Sequence, residues 1–331
     1  MSINQRTIRK VISISGKGLH TGKKVKVTLN PAPPDYGIVF KRVDIKKSPD
    51  IKAHASNVVD TTLATTLGKD DIQIATVEHL LSALLGFQVD NIHIEVDGPE
   101  IPILDGSAAE FSKALLVVGL KEQKEIKKFL VITKPIAVRQ QDRFSYLFPS
   151  DEFKITCRIE FPHKCIGKQR FDMTFPIISY LKNGSSNGNG NGKHSNGNGY
   201  AHEISSARTF GFIEEVATLQ RMGLALGGGL DNAIVLNKDS IVNQDGLRWK
   251  DEFVRHKVLD AMGDVALLGY QILGHLITYR SGHSLHHQLV EKTLRSKNSW
   301  KIMTSDEILS KEEGFLNQSS TPGVAFLQQT P

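Results

Sequence analysis

Cysteine is nearly absent: the chain of 331 residues holds two, Cys157 and Cys165. They are too few for a disulfide scaffold and wrongly spaced for a paired-cysteine metal knuckle. Long apolar runs are missing too, since charge breaks each one well short of the ~20 residues that a membrane-crossing helix needs. The opening "MSINQRTIRKVISISG" lacks the apolar block and small-residue cleavage site of a secretory signal, so the expected location is cytoplasmic. Basic tracts are also absent. Lys plus Arg exceed Asp plus Glu by 41 to 35, but the excess is scattered in pairs, with no aromatic-interleaved stretch. That pattern argues against a nucleic-acid partner. It suits a small phosphorylated ligand or an anionic membrane surface.

What is present is ordinary globular material, with 40% hydrophobic and 23% charged residues, in a chain long enough for two cores. Strand-like runs ("KVKVTLN", "YGIVFKRV", "NIHIEVDG") share residues 1–125 with two helical signals. In "TVEHLLSALLG" Thr76 has the character of an N-cap and Gly86 that of a stop. In "DGSAAEF" Ser107 and Glu110 have capping-box spacing. The charged tract "KEQKEIKK" marks a boundary, after which strands resume ("FLVITKPIAV", "FKITCRIEF") and two more helices are expected, over Phe212–Met222 and Phe253–Gly269. The expected fold is α+β in two similar domains, 1–125 and 126–305, with antiparallel strands, followed by a loosely held polar tail, 306–331. Residues 183–199, "NGSSNGNGNGKHSNGNG", contain nothing apolar and read as a flexible insertion in which His194 is solvated.

The chemistry concentrates in "RHKVLDAMGD". His256, Asp260 and Asp264 step by four residues, which on a helix keeps them within about 80° of one face, opposite Val254, Val258 and Met262. A surface ion pair would account for His256 and Asp260, but not for a third acid on the same stripe. A metal ion would. Catalytic zinc takes three protein ligands and leaves a fourth position open, so one more ligand must come from elsewhere. The helix "TVEHLLSALLG" offers it: Val77, Leu80, Leu81 and Leu84 form its apolar face, and Glu78 and His79 lie off that face, about 100° apart. One of them can bind metal while the other reaches water. His283, in the glycine-containing "YRSGHS" after a strand, is placed as a loop residue that could act as a general acid.

"GKGLHTG", "TVEHLLSAL", "EIPILDGSAAEF", "SARTFGF", "GLDNAIV", "RHKVLDAMGD" and "SGH" occur in the order of similar motifs in the UDP-3-O-acyl-N-acetylglucosamine deacetylase family, which the chain resembles from about residue 4 to about residue 304. The resemblance implies two α+β units whose helices pack between two sheets, with the active site at their junction. It implies one catalytic Zn²⁺ on His79, His256 and Asp260, with Glu78 as general base and His283 as general acid. Asp264 would orient His283, and Lys257 and Thr209 would polarise the scissile carbonyl. An insert over about 205–236, with Phe210, Phe212 and Val216, would line an acyl passage beside Leu19 and His20. Arg143, Phe161 and Lys257 match positions that meet the nucleotide. Ala64 stands where the family often has cysteine, and "HKC" at 163–165 where it commonly has His-Pro.

The reaction implied is hydrolysis of the N-acetyl group of a UDP-linked 3-O-acylated amino sugar, the committed step of lipid A synthesis, by a monomer. Amide hydrolysis makes the same demand of any site: an activated water, a Lewis acid and a proton donor. Two other readings remain open. One is a zinc hydrolase of this architecture acting on another acylated amine or ester, and the other a non-enzymatic binder of anionic lipid or nucleic acid.

Overall fold

The computed structural model describes residues 3–177 and 198–315. It is a mixed α+β structure with several sheets. A five-stranded sheet runs in the order Ile12–Lys17, Lys24–Pro31, Ile92–Val96, Ile38–Arg42, Asp50–Lys52, and a seven-stranded sheet is built around Gln271–Tyr279. Both are mixed rather than antiparallel as expected: Ile38–Arg42 lies parallel to Ile92–Val96, and Gln271–Tyr279 lies parallel to both Lys128–Ile132 and Phe153–Glu160. Parallel neighbours need a crossover, and the helices provide it.

The helices are α1 (Glu78–Gly86), α2 (Ala109–Val118), α3 (Asn198–Glu203), α4 (Ile213–Arg221), α5 (Glu252–Val265), α6 (His283–Arg295) and α7 (Ser305–Phe315). In α1 every residue is buried, including Glu78 and His79. Leu80, Leu81 and Leu84 face the core, and the other side lies on α5. That contact is very close: a Cβ on Gly263 would stand 2.1 Å from the Glu78 carbonyl oxygen. A larger residue at 263 would force α1, and Glu78 and His79 with it, away from α5.

Several local expectations are corrected. Thr76 does not cap α1. It has a φ of 59°, the residue at the N-cap position is Val77, and the threonine hydroxyl bonds Glu100 instead. Gly86 is the last residue of α1, held to glycine because a Cβ there would meet the Tyr200 ring at 2.3 Å. At α2 the reciprocal partner of Ser107 is Asp105 rather than Glu110: Ser107 Oγ accepts from Ala109 N while Asp105 Oδ1 accepts the Ser107 amide.

The charged boundary tract is itself a strand, Leu120–Ile126, paired with Asn4–Ile8 in a two-stranded ribbon that leaves much of it in water. Phe210 and Phe212 lie on a short strand beside Ile234–Leu236, and the helix begins only at Ile213. Helices α3, α6 and α7 were not expected, and α7 occupies the first part of the polar tail. Residues 183–197 of the insertion, His194 among them, lie outside the described residues, while Asn198 and Gly199 belong to α3. No helix among the described residues is long and apolar enough to cross a membrane.

Candidate active site

The start of α1 and the middle of α5 meet at a cavity of about 390 Å³. His79 comes from the first, His256 and Asp260 from the second, and one ligand atom from each lies within 4.8 Å of the others. His79 Nε2 is 3.8 Å and His256 Nε2 3.3 Å from Asp260 Oδ1, and the two rings meet edge to face at 5.1 Å between centroids. All three side chains are buried.

The donor set fits a metal ion. His256 donates its Nδ1–H to the Ala207 carbonyl at 3.0 Å, which leaves the Nε2 lone pair facing the trio. His79 turns Nε2 towards the same carboxylate, and its Nδ1 is buried without a hydrogen-bond partner. Burial and the neighbouring His256 push the His79 pKa down to about 3, and burial also lowers that of His256. Both rings are therefore neutral, as ligands must be. Burial alone would raise the Asp260 pKa, but the positive charges of Lys257 and His283 beside it outweigh that and keep the carboxylate ionised. Two neutral imidazoles and a carboxylate make a three-ligand N/O set with room for a fourth partner in the cavity.

Glu78 and His283 stand on the same cavity wall. Glu78 accepts the Thr65 amide at 3.0 Å on Oε2, and burial raises its pKa to about 7. His283 is the first residue of α6 rather than a loop residue. A cationic imidazole is unfavourable at the N-terminus of a helix and in a buried site, so something must offset both. Asp264 does so. Its Oδ2 accepts His283 Nδ1–H at 2.9 Å, and the pair outweighs desolvation to raise the His283 pKa to about 10. Asp264 itself stays ionised despite burial because His283 and His286 face it.

Lys257 donates to Asp260 Oδ2 at 2.8 Å with its Nζ 5.3 Å from the centre of the Phe210 ring, and its charge is reinforced by Asp260 against burial. Thr209, Phe210, Leu19, His20 and Arg143 also line the cavity. Both ring nitrogens of His20 are buried without a partner, and burial lowers its pKa against the pull of Glu100 and Asp60. The remaining expected contacts stand elsewhere. Phe161 packs on Phe210 and Phe212, with 5.6 and 6.4 Å between ring centroids, and neither Phe161, Phe212 nor Val216 is part of the cavity wall.

Four residues that motif spacing did not reveal complete the site. Thr65 touches both Glu78 and Asp264, its hydroxyl donating to Asp264 Oδ1 at 2.5 Å. His286 donates to the same carboxylate. Buried Glu100 accepts the amides of His20 and Thr21 at 2.9 and 3.0 Å and so fixes the turn that presents Leu19 and His20. Buried Glu252 accepts from the Arg208 amide at 3.0 Å and guanidinium at 2.8 Å, next to Thr209 and to the Ala207 carbonyl that orients His256.

The family model for UDP-3-O-acyl N-acetylglycosamine deacetylase (LpxC) matches residues 5–295 of the chain. Relatives named UDP-3-O-acyl-N-acetylglucosamine deacetylase are similar over nearly their whole length. The protein of Myxococcus xanthus (strain DK1622) is 47% identical over 302 residues, 91% of this chain and 90% of its own. That of Syntrophotalea carbinolica (strain DSM 2380 / NBRC 103641 / GraBd1) is 43% identical over 324 residues, 98% of each chain. That of Teredinibacter turnerae (strain ATCC 39867 / T7901) is 43% identical over 305 residues, 92% of this chain and 95% of its own.

Proposed function

Because the chain belongs to the UDP-3-O-acyl-N-acetylglucosamine deacetylase family, we propose that it removes the N-acetyl group of UDP-3-O-(3-hydroxyacyl)-N-acetylglucosamine. The products are the free amine and acetate, and the step commits the sugar to lipid A. The observation that carries the proposal is the meeting, on one cavity, of the His79/His256/Asp260 trio with a carboxylate near neutral pKa and a cationic imidazole.

His79, His256 and Asp260 would hold a zinc ion, which when bound would supply a Lewis acid able to acidify water towards a pKa of about 7 and to polarise an amide carbonyl. Glu78, once ionised, takes a proton from the attacking water. His283 gives its proton to the departing amine, which would otherwise leave as an amide anion. Asp264 keeps that proton on His283 until the C–N bond breaks. Lys257 and Thr209, on the same wall, stabilise negative charge on the carbonyl oxygen. His20, with two free nitrogens, is placed to bond substrate, and Leu19 and Phe210 offer apolar surface for the acyl chain. Arg143 and Lys257 offer cations to the diphosphate.

The two halves of the chain, 1–125 and 126–305, act as two α+β units on this reading, with α1 and α5 meeting at their junction. The protein works in the cytoplasm as a monomer, where its acyl substrate can reach the inner-membrane surface. The test is conversion of the UDP sugar by purified protein, followed by release of acetate alongside measurement of bound zinc. Acetate release with about one zinc per chain supports the reading. Faster turnover of an acylated amine that lacks UDP would point instead to a different substrate for the same architecture.

A further inference from the structure

One carboxylate beside the cavity serves two imidazoles, and the reaction as proposed uses only one of them. Asp264 Oδ2 accepts from His283 Nδ1–H at 2.9 Å and from His286 Nδ1–H at 2.8 Å. His286 is 1% exposed. Its other ring nitrogen, Nε2, lies 2.8 Å from Ser281 Oγ, so a ring that would be costly to bury is bonded at both ends. The two histidines are three residues apart on α6, close enough to converge on one acceptor from α5. On the other carboxylate oxygen, Thr65 Oγ1 donates at 2.5 Å, and the same hydroxyl is 3.4 Å from His283 Nδ1.

We propose that His286 is a positioning residue: anchored by Ser281, it fixes the Asp264 carboxylate so that Oδ2 stays on His283 Nδ1, leaving Nε2 as the edge of His283 that carries the transferable proton. This rests on reading His283 as the acid. Without His286 the carboxylate is held by two donors instead of three and can turn about its own axis. His283 Nδ1 then has the Thr65 hydroxyl within reach, a neutral partner that holds an imidazolium less well. The arrangement is a hydrogen-bonded support behind the reacting side chain, of the kind whose loss costs roughly 10- to 100-fold.

His286→Leu and His286→Asn in the zinc-loaded full chain test this. The asparagine amide can donate where Nδ1 does, and leucine cannot. His286→Leu should lower kcat by roughly 10- to 100-fold with KM and zinc content unchanged. It should also shift or broaden the low-field proton NMR signal of His283 Nδ1–H, while His286→Asn keeps most of the turnover and the signal. Parent turnover with an unshifted signal in the leucine variant overturns the proposal, as does an asparagine variant damaged as badly as the leucine one. Should the leucine variant fail to fold, Ser281→Ala removes the anchor instead. A smaller loss of kcat with a broadened signal is then expected, and no change in either overturns the proposal. Full turnover by His283→Gln would remove the acid role itself, and the NMR comparison would still decide whether His286 holds the carboxylate.

Discussion

As the proposed base and acid, Glu78 and His283 carry opposite requirements, and their environments suit both. A base must be ionised and an acid protonated, and burial of Glu78 together with pairing of His283 to Asp264 separates them at about 7 and about 10. Because the Glu78 pKa is raised, its base form is lost as pH falls, so kcat/KM should rise with pH through about 7, or lower once a cation sits beside it. Because the His283 pKa is raised, its acid form is lost as pH climbs, so activity should fall towards about 10, or somewhat below it because α6 begins at that residue. Stopped assays across pH 5 to 11 should therefore give a bell. Glu78→Gln should erase the acid limb and His283→Gln the alkaline one. Each should lower turnover by roughly two to four orders of magnitude with zinc retained. Two variants at parent rates would remove both roles. The stripe of His256, Asp260 and Asp264 was legible because helical spacing alone places those residues together. Thr65, Glu100 and His286 were not, since each reaches its partner across the fold, Thr65 over 199 residues to Asp264.

Among the elements, α1 and α5 matter most, because a backbone contact sets the distance between Glu78 and the residues opposite. Gly263→Ala puts a methyl group where the Glu78 carbonyl stands, and backbone cannot give way as a long side chain can. The variant should lose about 1–3 kcal/mol in urea unfolding. It should also lose activity out of proportion to that loss when measured in buffer without denaturant. Unchanged stability and rate would show that the helices tolerate a wider spacing. Helix α6 went unseen in the sequence for a physical reason. Its buried face is Leu285, His286, Leu289, Val290 and Thr293, so polar residues interrupt the apolar period, and Gly282 gives no side-chain cap. For the same reason His283 looked like a loop residue. The apolar period of α1 was plain because leucines occupy it, whereas its start was misread because Thr76 bonds Glu100 rather than the helix.

The whole molecule carries a formal charge of +6, and Lys257 and Arg143 stand on the cavity that would take a diphosphate. Charge attraction over a surface decays within roughly 8 Å at physiological salt, so raising potassium chloride from 50 to 500 mM should raise KM for the UDP sugar while kcat changes little. A KM independent of salt would mean that the nucleotide is held by uncharged contacts. At this scale the α+β class was readable from the interleaving of strands and helices. The mixed strand order was not, because pairing direction depends on which strands a crossover brings together. The measurement that bears most directly on the site is zinc content determined together with deacetylation of the UDP sugar, in the parent and in His79→Ala and Asp260→Ala. The parent should hold about one zinc per chain and release acetate, lose activity to a chelator and regain it with one equivalent of zinc, and both variants should lack metal and turnover. Zinc retained in both variants, or full turnover by the chelated parent, would contradict the assignment of His79, His256 and Asp260 as the ligands of a catalytic ion.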